Sequence, residues 1–225
     1  MITTATHSTT NLPESLDEFR ATRARTLSMA RRLTQEELDF VPAAGRWSIG
    51  EVLDHMVLAE GVNRDLISKL IELRRAGRSP KLDLSFSDLN ISVAYLPQSV
   101  LQVLELPLTL MNMLVPNILR NYLTRHRVVP FRNPDAAAPR RGRMVSVLIT
   151  DLTDSVNKTE ALFQANSCLD YGEMVLRHPL LGKYDVPGLL RFMSAHEQRH
   201  QSQIADVLTI MRSLNQPERT VRWAG

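Results

Sequence analysis

Apolar positions recur along much of the chain at the three- and four-residue spacing of amphipathic helices. In residues 14–39 they form one stripe among many charged residues, namely Leu16, Phe19, Leu27, Ala30 and Leu33. In residues 143–169 a second stripe consists of Val145, Leu148, Leu152, Val156 and Phe163. The sequence has no strand-like alternation of useful length. The pattern therefore predicts an all-α fold.

Ser/Thr-x-x-Glu sequences indicate where helices begin. Thr34 with Glu37 can cap or restart a helix near the end of the first helical region. Ser48 with Glu51 predicts the start of a second helix, which should run to about Ala76, just before a glycine. A proline in the first turn favours a last helix that starts near residue 187.

A proline-rich insertion at about residues 81–140 separates the second and third predicted helices. Its most apolar part, residues 100–119, is long enough to span a bilayer. Polar residues and prolines within this part make a membrane span unfavourable, namely Gln102, Glu105, Pro107, Asn112, Pro116 and Asn117. We interpret the segment as a broken helical insertion that lines a cavity, packs on the bundle, or docks on a membrane surface or partner.

The composition, with 44% hydrophobic and 23% charged residues, is that of one folded domain, expected over residues 14–225 after a flexible tail at 1–13. This tail lacks the apolar run of a signal peptide. Cys168 is the single cysteine, which excludes an internal disulfide and fits a reducing compartment, so the expected location is cytoplasmic.

The net charge of +3 conceals an arginine-rich stretch at residues 120–143. A solvated basic loop is the favoured interpretation, and contact with phosphate, lipid headgroups or an acidic partner is the alternative. The stretch lacks a helix-turn-helix pattern and interleaved aromatic residues, so we expect no nucleic-acid binding.

Histidines provide the strongest functional signal. The last helix has one seam with steps of three and four residues, formed by Leu189, Met193, His196, His200, Gln203, Val207 and Ile210. Residues i and i+4 are neighbours on a helix face, so His196 and His200 can reach one ion. His55 follows the same spacing as Val52, Ala59, Val62 and Leu66 on the second helix. Three inward imidazoles predict an open site for one divalent metal, whereas the alternative is a set of hydrogen-bonded core histidines.

His196 to His200 also matches the H-E-x-x-H pattern of zinc peptidases, with Glu197 as the general base. Such a peptidase normally has a third ligand downstream, but no histidine follows His200. Strands that would bind an extended peptide are not evident either. A peptidase is therefore the less favoured interpretation.

Two regions resemble the DinB/YfiT-like superfamily of metalloenzymes. The first is Arg46-Trp47-Ser48-Ile49-Gly50-Glu51 continuing to His55, and the second is His178-Pro179-Leu180-Leu181-Gly182 leading to His196, Glu197, His200 and Gln203. The resemblance implies a four-helix bundle in up-down-down-up order that holds one divalent ion, often zinc or nickel. It assigns the metal ligands to His55, His196 and His200, as the spacing does.

The resemblance also implies an activity, because known members include thiol S-transferases that use low-molecular-weight thiols such as bacillithiol, and a mycothiol-dependent isomerase. The metal would hold the thiol deprotonated and direct it at a small-molecule electrophile. Hydrolysis is the neighbouring alternative, with Glu197 or Glu51 as catalytic base. Gln203 is predicted to contact a metal-binding histidine without binding the metal itself. Glu197 lies about 100° from the seam, so it can instead support a neighbouring helix.

A different class is also open, namely a non-catalytic metal-binding or stress-response protein whose insertion contacts a partner or a membrane surface. A fourth protein ligand that closes the site would favour it. The resemblance further allows a homodimer, with the apolar insertion as its candidate interface. The insertion alternatively covers the metal as a lid and selects a larger or more apolar substrate.

Overall fold

The helices begin where the sequence places capping residues. In a computed structural model, which describes residues 11–85, 137–178 and 182–215, Thr34 and Ser48 each form a complete capping box with the glutamate three residues later. The described part of the chain contains five helices: α1 (Leu12–Ala30), α2 (Gln35–Asp39), α3 (Ile49–Arg75), α4 (Val145–Gln164) and α5 (Val186–Leu214). Thr34 thus restarts the chain as a separate short helix, and α1 starts two residues before the predicted boundary.

Glycine ends α3 in the predicted way. The backbone of Gly77 has a φ of +68°, a left-handed conformation that costs little without a Cβ atom. The chain turns away from the helix here, two residues after Arg75. The charges of Arg74 and Arg75 lie at the negative end of the helix dipole.

The four long helices pack side by side. α1 contacts α4 and α5, and α3 contacts the same two helices. The predicted stripes of α1 and α4 supply buried residues to the core, including Phe19, Leu27, Leu148 and Leu152. Two apolar clusters result, one around Phe19, Ile67 and Leu190 and the other around Leu38, Leu53 and Ile204. The prediction of a helical chain is confirmed.

Within the described residues, three short strands were not predicted. β1 (Lys81–Asp83) pairs in parallel with β2 (Val175–His178), which pairs antiparallel with β3 (Gly182–Asp185). Strands of three or four residues are too short to display a two-residue period. Leu176 and Tyr184 nevertheless face the first apolar cluster, so the sheet closes one part of the core.

Most of the predicted insertion lies outside the described residues, including the apolar part at 100–119. Its beginning forms β1, and Ala137 near its end is buried. Among the described residues, no helix is long and apolar enough to cross a membrane. At the end of the basic stretch, Arg140 and Arg143 form ion pairs with Asp54, and Arg141 pairs with Glu51. The side chains of Arg140 and Arg141 are 65% and 66% exposed, as a solvated loop requires, whereas that of Arg143 is 15% exposed.

Candidate metal centre

The three predicted histidines come together between α3 and α5. Each offers one nitrogen, and these atoms lie within 4.8 Å of one another. His55 lies in the second turn of α3, whose start is set by Ser48, while His196 and His200 occupy successive turns of α5. The seam faces inward as predicted at Leu189, Met193 and Val207, but its last member, Ile210, is 40% exposed because α5 extends beyond the packed core.

In two of the three rings, the Nδ1 atom contacts an oxygen acceptor. His55 Nδ1 lies 2.8 Å from the carbonyl oxygen of Ala137, and His200 Nδ1 lies 3.0 Å from Oε1 of Gln203. Since a carbonyl or amide oxygen only accepts, both Nδ1 atoms carry a proton in this arrangement. A neutral imidazole then has its lone pair on Nε2, the state that binds a metal.

The donor set fits a divalent metal ion. Nε2 of His55 is buried and makes no hydrogen bond within the described part of the chain, which leaves a ligand-type lone pair unsatisfied. The Nε2 atoms of His196 and His200 are 3.2 Å apart. Two nitrogens bound tetrahedrally to one ion at about 2.0–2.1 Å would be separated by about 3.3–3.4 Å. The observed spacing is close to this value.

Burial favours the neutral form of two of the three histidines, His196 and His55. Burial lowers the pKa of His196 well below its usual value, although part of the side chain is exposed, and the neighbouring His200 and His55 lower it further. Burial also lowers the pKa of His55, and this effect outweighs the hydrogen bond to Ala137, which acts in the opposite direction. Neutral imidazoles are the form a metal requires.

Aromatic rings border the cluster on two sides. The ring of Trp47 lies 5.1 Å from that of His55, and the ring of Phe192 stacks on His196 at 6.2 Å between centroids. Tyr184 packs behind Phe192 at 5.5 Å. Aromatic surface therefore flanks the histidines on these two sides and limits the access of water there.

Comparison with known proteins identifies the family. A family model described as the DinB superfamily matches residues 18–204. The chain belongs to the DinB superfamily. A search of curated proteins found no match. Among solved structures, YfiT from Bacillus subtilis, described as a probable metal-dependent hydrolase with an unusual four-helix bundle topology, matches with a TM-score of 0.45 and 12% identity, covering 96% of this chain and 93% of its own.

Glu197 of this DinB-family chain does not contact the histidines through any of its described hydrogen bonds. Arg23 of α1 donates to both of its carboxylate oxygens, and Thr26 Oγ1 lies 2.5 Å from Oε1. Arg23 also pairs with Glu60 of α3 at 2.9 Å, and all three charged residues are buried. The contacts correspond to the helix-supporting role considered for Glu197.

Glu51 is also engaged. Its Oε2 accepts a hydrogen bond from the backbone amide of Ser48, and its Oε1 accepts one from Arg141 at 2.8 Å. The catalytic roles suggested for Glu51 and Glu197 remain predictions, and either carboxylate would have to share or lose an arginine partner to accept a proton.

Sequence reasoning missed three polar groups around the site: the side chains of Arg23 and Asp54 and the backbone carbonyl of Ala137. Arg23 carries a detectable signal, because it lies four residues from both Phe19 and Leu27 and so occupies the predicted apolar stripe. Asp54 and Ala137 have no comparable local signal. Their contacts depend on how a segment distant in sequence returns to α3.

Proposed function

We propose that this DinB-family protein is a divalent-metal-dependent enzyme whose ion is held by His55, His196 and His200. The observation that supports it best is the buried, unsatisfied Nε2 of His55 beside two Nε2 atoms 3.2 Å apart. Three neutral nitrogens leave further coordination positions open, as in catalytic rather than structural sites.

The proposed reaction class is thiol S-transferase-like chemistry on a small molecule, with hydrolysis as the second candidate. A divalent ion would supply Lewis acidity, which lowers the pKa of a bound thiol or water. The arginine contacts of Glu51 and Glu197 favour chemistry that needs no carboxylate base, as with a thiol that the ion itself can ionise. Ala137 and Gln203 orient the rings of His55 and His200, and Trp47 and Phe192 shield the cluster from water on the two sides that they border.

The proposal includes zinc or nickel as the ion and a low-molecular-weight thiol as cosubstrate. Imidazole suits both metals, and selection between them depends on availability as well as geometry.

We also propose an up-down-down-up bundle. Contacts between α1 and α5 advance together along both helices, from Glu14 with Arg191 to Thr26 with Gln201, which supports a parallel pair. Contacts between α1 and α4 run in opposite order, with Arg20 bound to Glu160 and Arg23 to the carbonyl of Leu152. This order supports an antiparallel pair.

The first experiment measures metal content by elemental analysis of tag-free protein. We expect about one zinc or nickel ion per chain in the parent and none in a folded variant with both His196→Ala and His200→Ala. His178→Gln is the matched control, because it removes a buried histidine outside the cluster and should retain the ion. A parent that stays metal-free after refilling would contradict the proposed site.

The reaction class is tested with the loaded protein. Low-molecular-weight thiols would be paired with a chromogenic halonitrobenzene, and nitrophenyl esters would report hydrolysis. Thiol-dependent turnover that the double histidine variant lacks supports the transferase, whereas thiol-independent ester cleavage supports the hydrolase. Metal binding without either activity would favour the non-catalytic alternative.

A further inference from the structure

Residues 137–143, which we call the return segment, connect the end of the insertion to the face of α3 that carries His55. Ala137 is only 2% exposed, and its carbonyl oxygen accepts the hydrogen bond from His55 Nδ1. The residues between Ala137 and α4, 138–144, form bends and coil without regular secondary structure. Contacts with other elements must therefore determine where this carbonyl lies.

Asp54 provides the main such contact. Its Oδ2 accepts a 2.8 Å hydrogen bond from the backbone amide of Arg140, and the Arg140 guanidinium lies 3.2 Å from Oδ1. Arg143 donates to the same Oδ1 at 2.5 Å. One carboxylate thus binds both the backbone and the side chains of the return segment, three residues from Ala137.

The burial of Asp54 makes these contacts strong. Its side chain is fully buried and that of Arg143 is 15% exposed, so water competes little for this pair, whereas Arg140 is 65% exposed. Charge-assisted hydrogen bonds are shorter and stronger than neutral ones. An unpaired carboxylate at this depth would be costly, so Asp54 and the return segment hold each other in place.

The connection reaches the metal site because Asp54 precedes His55 in α3. Asp54 binds the amide of Arg140, which limits the position of Ala137, and the carbonyl of Ala137 sets the proton and ring orientation of His55. Such outer contacts commonly change metal affinity by roughly 10–100-fold when they are removed.

We propose that Asp54 is a positioning residue of the metal centre, which acts by anchoring the return segment so that Ala137 orients His55. This inference rests on the proposed function, since it requires the cluster to bind metal. It also gives the end of the insertion a defined role in the site.

The test compares Asp54→Asn with Asp151→Asn. Asp151 also pairs with Arg143, at 2.6 Å, but does not contact Arg140. Cobalt affinity would be measured by chelator competition, and the His55 Nδ1 proton would be followed by nitrogen-edited NMR in metal-free protein. We expect Asp54→Asn to weaken cobalt binding about tenfold or more and to shift or broaden the His55 signal, and Asp151→Asn to stay within about twofold of the parent.

A second variant covers the case in which Asp54→Asn does not fold. Arg140→Pro removes the backbone N–H that donates to Asp54 Oδ2, leaves Asp54 paired with Arg143, and should weaken cobalt binding in the same direction. A folded variant of either kind with parental affinity and an unchanged His55 signal would overturn the positioning role, even if its unfolding free energy falls. A parent that binds no cobalt would instead reject the proposed function, and the positioning role with it.

Discussion

Arg23 holds Glu197 through two hydrogen bonds, from Nε to Oε1 at 2.9 Å and from Nη2 to Oε2 at 3.0 Å. The pair joins α1 to α5 at the residue directly after His196, with both side chains almost fully buried. Burial opposes the charge on Arg23, but Glu197 and Glu60 outweigh it and raise the pKa of the guanidinium. The contacts of Glu197 are therefore those of a residue that supports the site.

Glu197→Gln should destabilise the fold by about 2 kcal/mol, because a buried arginine would lose one of its two carboxylate partners. Urea unfolding would measure this change. Glu160→Gln is the control, because it removes an ion-pair partner of Arg20, which lies on α1 as Arg23 does. Both side chains of this pair are partly exposed, so the change should cost less than about 1 kcal/mol. Lost turnover with unchanged stability in Glu197→Gln would instead favour a catalytic base.

Gln203→Ala should weaken metal binding by roughly tenfold, because His200 would lose the acceptor that orients its Nδ1–H. Chelator competition with zinc or cobalt measures the affinity. Gln201→Ala is matched in residue type and helix, but its amide contacts Thr22 and Thr26 of α1. Equal affinities for the two variants would argue against an orienting role for Gln203.

His178 should make the protein less stable in acid. Burial lowers its pKa to about 3, below the value near 6.5 of an unfolded chain. Between these values the unfolded state binds more protons, so stability falls as the pH decreases from about 6.5 toward 3.

Removing the His178 imidazole should make the unfolding free energy less dependent on pH. Between pH 6.5 and 4.5, the parent should lose about 2 kcal/mol more unfolding free energy than His178→Gln. Urea unfolding in the presence of a chelator measures the difference without a contribution from bound metal. Parallel stability profiles for the two proteins would contradict the shift.

Ser48→Ala should lower the unfolding free energy by about 1 kcal/mol, because α3 would lose the side chain that accepts the Glu51 amide. Thr34→Ala removes the same type of cap from α2, a five-residue helix, and should cost less because its capping contacts are exposed. Thermal or urea unfolding compares the two directly, and equal losses would mean that the length and burial of α3 do not matter.

Helix geometry explains what could be predicted about the fold. The capping boxes at Thr34 and Ser48, the stop at Gly77 and the inward direction of His196 and His200 depend on residues within one or two turns. The short strands could not be recognised, because they are stabilised by pairing between segments far apart in the chain.

The sequence by itself determined the helices, the spacing of His196 and His200 on one face of α5 and the inward direction of His55, because a 3.6-residue period sets the face of each side chain. Only the tertiary structure decided that His55 meets the other two rings, that Ala137 and Asp54 hold it there, and that Arg23 binds Glu197. These contacts join separate elements, so their partners depend on packing and on which buried charges must be paired.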